Sequence, residues 1–80
     1  MAISQGVFMN NLELFAFRVK KLRKQKNLSQ AELAEVLGLK QTTISGIESG
    51  IRTTTIEKLI LLAKFFDVST DYLLGLKDEP

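Results

Sequence analysis

The sequence predicts an all-α domain of five short helices, on three observations. Apolar residues recur at helical spacing, and no strand-like alternation runs longer than four residues. Two S/T-x-x-E boxes, Ser29 with Glu32 and Thr54 with Glu57, stand where helices would begin. Asn27, Gly38, Gly50 and Gly75 stand where helices would stop.

The first helix is expected over Leu12–Lys26, with Phe15, Val19 and Leu22 as its buried stripe and the basic residues mostly off it. Ser29 opens the second, which runs to Leu37 and turns Leu33, Ala34 and Leu37 inward. The third spans Gln41–Ser49. Its only large apolar residues are Ile44 and Ile47, three apart, and the rest is small and polar. The fourth runs from about Thr55 to Phe66, with an inner stripe of Ile56, Leu59, Ala63 and Phe66. A fifth, capped by Ser69, covers Thr70–Leu74, and the tail Leu76–Pro80 is expected to fray.

Composition narrows the function. Eighty residues make one domain. Apolar residues are 45% and charged residues 25%, as in ordinary soluble proteins. The chain has no Cys and no His. Disulfides, zinc fingers and thiol catalysis are thereby excluded, along with the commonest general base and metal ligand. No enzyme, metal or cofactor is expected. No apolar run is long enough to span a membrane, and residues 1–10 lack the basic start of a signal peptide. A cytoplasmic location is expected.

Charge is unevenly spread. Residues 1–26 carry six bases and one acid, net +5, and residues 27–80 carry five bases and eight acids, net −3. A basic stripe on a near-neutral domain suits an anionic partner, though a solvated helix face would look the same.

The second and third helices are separated only by Gly38, Leu39 and Lys40. So short a turn makes them cross steeply, which needs a small residue at the crossing and apolar residues on both inner faces. Ala34 is the small residue, and Leu33, Leu37, Leu39, Ile44 and Ile47 are the apolar ones. These positions meet the steric requirements of a helix-turn-helix.

The stretch Leu28-Ser29-Gln30-Ala31-Glu32-Leu33-Ala34, then Gly38, then Thr43-Ile44-Ser45-Gly46-Ile47-Glu48-Ser49-Gly50, resembles the Cro/C1-type helix-turn-helix family. The ending Asp71-Tyr72-Leu73-Leu74-Gly75 is similar to that family too. The likeness covers residues 12–76, leaving 1–10 as an extension and 77–80 as a tail. It implies a five-helix lambda-repressor-like fold and a transcriptional regulator, expected to be a repressor. Such a regulator binds a palindromic double-stranded operator as a homodimer.

The third helix is expected in the major groove. Gln41 has an amide suited to adenine N6 and N7, and the resemblance puts a base-reading residue at that position. Thr42, Thr43 and Ser45 suit a phosphate, a base edge or a thymine methyl. Lys40 is a poor N-cap and a cation at the positive end of a helix dipole, which makes sense with a phosphate beside it. The family usually has Ser or Thr there. By resemblance, Gln30 bonds a backbone phosphate, Arg52 faces phosphate, and Arg23 and Glu48 form a partly buried structural salt bridge. Gly46 departs from the family, which often has a base-reading Arg, Lys or Gln at that position.

Leu61 and Phe65 lie off the inner stripe of the fourth helix, where the family usually has polar or small residues. With Tyr72 and Leu76 they are expected to form the dimer interface. The competing cover for this patch is the N-terminal segment with Val7, Phe8 and Met9. Three rival functions stay open. One is a controller of a restriction–modification system, and another is an antitoxin whose protein partner covers the Leu61–Phe65 patch. The third is an interaction module that has lost DNA binding.

Overall fold

In the computed structural model, which describes residues 9–80, five α-helices follow one another: α1 Asn11–Gln25, α2 Gln30–Leu37, α3 Gln41–Glu48, α4 Ile56–Phe66 and α5 Thr70–Leu73. No strand occurs among the described residues. Val7 and Phe8 lie outside them.

Each helix begins for a local reason. Asn10 caps α1 in a reciprocal box: its Oδ1 accepts from Glu13 N–H at 2.8 Å, and its own N–H donates to Glu13 Oε1 at 3.3 Å. Ser29 and Glu32 cap α2 in the same way. Ser69 caps α5, its Oγ accepting from Tyr72 N–H at 3.0 Å. At α4 the cap is not Thr54 but Thr55, whose Oγ1 accepts from Lys58 N–H at 3.2 Å. Three consecutive threonines offer the same hydroxyl in three registers, and the path of the loop selects one.

The ends are equally local. Asn27 and Asp67 take left-handed backbones, at φ 56° and 54°, after α1 and α4. Gly38 does so after α2 at φ 69°, turning the chain into α3 within three residues. Gly75 is needed twice over. Its φ is 77°, and a Cβ there would stand 2.8 Å from Leu14 Cδ2.

α2 packs against α3, α1 against both α3 and α5, and α4 against α5. The core they enclose contains Phe15 and Val19 of α1, Leu33 and Ala34 of α2, and Ile44 and Ile47 of α3. Leu62, Ala63 and Phe66 of α4 and Tyr72 and Leu73 of α5 complete it. Ala34 of α2 has only 3% of its surface exposed.

Three expectations need correction. Ile56 is not on the inner stripe of α4: it is 75% exposed, and the fully buried Leu62 takes the place. Leu59, Leu62, Ala63 and Phe66 follow the i, i+3, i+4, i+7 rule equally well, and packing chose that frame. Arg18 is not a surface base. It is 2% exposed, with its guanidinium 4.1 Å from the Tyr72 ring centre. Nor is the tail loose. Arg18 Nη1 donates to the carbonyls of Tyr72 and Lys77, Nη2 reaches Asp78 Oδ1 at 3.1 Å, and Ser69 N–H donates to Pro80 O at 3.0 Å.

Candidate nucleic-acid interface

α3 has two faces of opposite character. Ile44 and Ile47 are buried, while Gln41, Thr42 and Ser45 are exposed and Thr43 and Gly46 half-buried. Lys40 is the N-cap residue, and its side chain makes no capping bond. The N–H groups of Thr43 and Ile44 donate to Lys40 O, which leaves those of Gln41 and Thr42 without an intrahelical acceptor. The helix therefore starts with free donors, a cation and a short polar face, an arrangement that accepts anions.

α3 is held against α1 by charge. Arg23 of α1 meets Glu48 in a fork, Nε to Oε2 at 2.7 Å and Nη2 to Oε1 at 2.9 Å. The side chains are only 10% and 2% exposed. Arg23 Nη1 also donates to Leu28 O at 2.7 Å, tying the same guanidinium to the turn before α2. The hydrogen bond to Glu48 raises the Arg23 pKa, against the opposing effect of burial and with the carboxylate charge adding to it. Gln30 Nε2 donates to Glu48 Oε1 at 3.2 Å. Its amide has a second N–H left for another acceptor.

The loop after α3 joins this face. Arg52 lies beside Gly46, and a groove of about 350 Å³ runs from Thr42, Thr43 and Gly46 past Arg52 to Lys58. Lys58 was not singled out from the sequence. The usable signal was its place three residues after Thr55, in the first turn of α4, but that required knowing which threonine caps the helix.

Two packed helices joined by a short turn at Gly38, a buried alanine on the first and an exposed polar face on the second make a helix-turn-helix. The helix-turn-helix family model matches residues 19–73, more than half of the chain. The chain belongs to the helix-turn-helix family. The Cro/C1-type resemblance read from the sequence is borne out.

Among helix-turn-helix proteins, the chain is 43% identical over 75 residues to the control protein C.SmaI of Serratia marcescens, covering 90% of this chain and 89% of that one. The restriction-modification controller protein C.AhdI of Aeromonas hydrophila has a solved structure similar at TM-score 0.69, with 34% identity over 78% of this chain and 94% of that one. The P22 c2 repressor, solved in complex with a synthetic operator, is similar at TM-score 0.74, with 31% identity over 80% of this chain and 97% of that one. The chain spans 60% and 50% of the length of two Bacillus subtilis HTH-type regulators that it also matches.

Of the expected dimer residues, Tyr72 is not at the surface. Tyr72 is 5% exposed and belongs to the core under Arg18. Phe65 is half-buried, edge-on to Phe66 at 5.1 Å between ring centres, with Lys26 Nζ 5.4 Å from its own centre. Leu61 and Leu76 are exposed. A different apolar groove, of about 480 Å³, lies between α1, the α3–α4 loop, the start of α4 and the end of α5, with Leu12, Ile56, Leu59 and Leu74 along it.

Among the described residues no helix is long and apolar enough to cross a membrane. No group of acidic side chains there suits a metal ion.

Proposed function

We propose that the protein is a sequence-specific regulator of transcription that binds double-stranded DNA with α3 in the major groove. The observation that carries this is the exposed face of α3, with its uncapped N-terminus, in a fold similar to a repressor solved on its operator. Gln41 reads an adenine edge, and Thr42, Thr43 and Ser45 complete the readout. Lys40 and the free N–H groups at the start of α3 bind phosphate. Gln30 adds its second amide N–H. Arg52 and Lys58 extend the positive surface along the groove beyond Gly46. Arg23 and Glu48 set the angle of α3. A cytoplasmic location follows from this role.

The protein acts as a homodimer on an inverted repeat. The second copy docks on the groove of Ile56, Leu59 and Leu74, in preference to Leu61 and Phe65. Ile56 is 75% exposed, a large apolar group with no cover of its own. Thr53, Thr54 and Thr55 line both this groove and the one beside α3, which supports placing the second copy next to the reading face.

Control of a restriction–modification system is the specific role we favour. C.SmaI and C.AhdI are matched over 89% and 94% of their own lengths.

Selection of bound duplexes from a random pool near physiological salt tests the reading. The expected result is an inverted repeat with half-sites about one helical turn apart. Retention without enrichment would mean phosphate contacts alone, and no retention at low salt would end the proposal.

A further inference from the structure

The recognition face has one position without a side chain, and an arginine from elsewhere lies over it. A Cβ built on Gly46 would stand 3.6 Å from Arg52 Cδ, ordinary van der Waals contact. The aliphatic stem of Arg52 thus covers the bare turn of α3. One surface hollow is bordered by Thr42, Ser45, Gly46 and Arg52, and another by Thr42, Thr43, Gly46 and Arg52. Arg52 thus borders both hollows, together with Thr42 and Gly46. Arg52 is exposed, and the ion pairs of the described residues engage Arg18 and Arg23 instead.

We propose that Arg52 is a base-reading residue, seated on Gly46 so that its guanidinium takes guanine O6 and N7 in the major groove. The inference rests on the DNA-binding reading above and assigns Arg52 a base where the family resemblance suggested a phosphate. Guanine presents two acceptors in the major groove, which match a fork of two donors. None of the exposed side chains of α3 has that fork: Gln41 has one amide, and Thr42 and Ser45 have single hydroxyls. A phosphate contact needs reach to the rim of the interface, which Lys40 and Lys58 already supply. Arg52 instead stands against Gly46, on α3 itself. Its stem is packed before DNA arrives, which lowers the ordering cost of the contact.

The test is duplex selection with the full chain as wild type, Arg52→Ala, Arg52→Lys and Gly46→Leu. One guanine column per half-site is expected to lose about tenfold to hundredfold of its preference in Arg52→Ala, while the other columns hold. Arg52→Lys keeps the charge without the fork and shows the same column loss. Gly46→Leu fills the seat and flattens the same column, and Arg52→Ala added to it flattens that column no further. Equal weakening on all sequences in Arg52→Ala, with the salt slope lower by about one, would mark a phosphate contact and overturn the inference. An unchanged column in Gly46→Leu would overturn the seat. A wild type that enriches no sequence overturns the DNA-binding reading itself, and this inference with it.

Discussion

Arg23 and Glu48 join α1 to α3 through two hydrogen bonds, Nε to Oε2 at 2.7 Å and Nη2 to Oε1 at 2.9 Å, with both side chains almost wholly buried. The fork ties the last turn of α3 to α1. Removing either partner strands a buried charge. Arg23→Met is expected to cost about 3 kcal/mol, read as a drop in the urea midpoint. Arg23→Met with Glu48→Leu should recover much of that, since no charge is then left unpaired. Near-normal stability of Arg23→Met alone would show that the pair is not structural.

The cap of α4 separates two adjacent threonines. Thr55 accepts from Lys58 N–H, so Thr55→Ala is expected to lose about 1 kcal/mol in chemical unfolding. Thr54→Ala should stay within about 0.5 kcal/mol. Equal losses would mean that the register of the loop is not the one described.

Residues 77–80 complete the surroundings of Arg18. Deleting them removes the Lys77 carbonyl, the Asp78 carboxylate and the Pro80 carbonyl that accepts from Ser69. A loss of roughly 1–3 kcal/mol is expected, since buried donors lose their acceptors. Asp78→Ala should cost less than about 1 kcal/mol, because that carboxylate is 65% exposed. A truncated chain as stable as the full one would show that the tail contributes nothing.

Acid should weaken the start of α2. The Ser29 N–H, and then its hydroxyl, hold the Glu32 carboxyl below its ordinary pKa, against a small opposing effect of burial. A carboxyl depressed in the folded state adds stability above its unfolded pKa, and that stability is lost as pH falls through the folded one. The stability gap between wild type and Glu32→Ala is therefore expected to be constant from pH 6 to 7 and to shrink below about pH 4. A gap independent of pH would rule out the charged form as the source of the cap.

Self-association should depend on Ile56. On the proposed interface, wild type is expected to sediment as a dimer and Ile56→Lys as a monomer at the same concentration, with weaker DNA binding. Leu61→Lys should remain dimeric. The reverse pattern would move the interface to the α4 face that carries Leu61 and Phe65.

Helix positions, the Ser29–Glu32 box, the Gly38 turn and the small Ala34 were legible in the sequence, because each is set by neighbours within four or five residues. The polar face of α3 was legible for the same reason: a helix whose only large apolar residues are Ile44 and Ile47 must turn Gln41, Thr42 and Ser45 outward. Tertiary structure decided the rest. The period of α4 is consistent with either Ile56 or Leu62 inside, and contact with the other helices chose Leu62. Arg18 looks like one base in a stripe until Tyr72 and the tail, more than fifty residues away, close over it. Gly46 looks like a missing reader until the loop returns Arg52 to it. Local hydrogen bonding and periodicity are written in short segments. Which of several equivalent faces is buried, and which distant group satisfies a charge, is settled only when the segments pack.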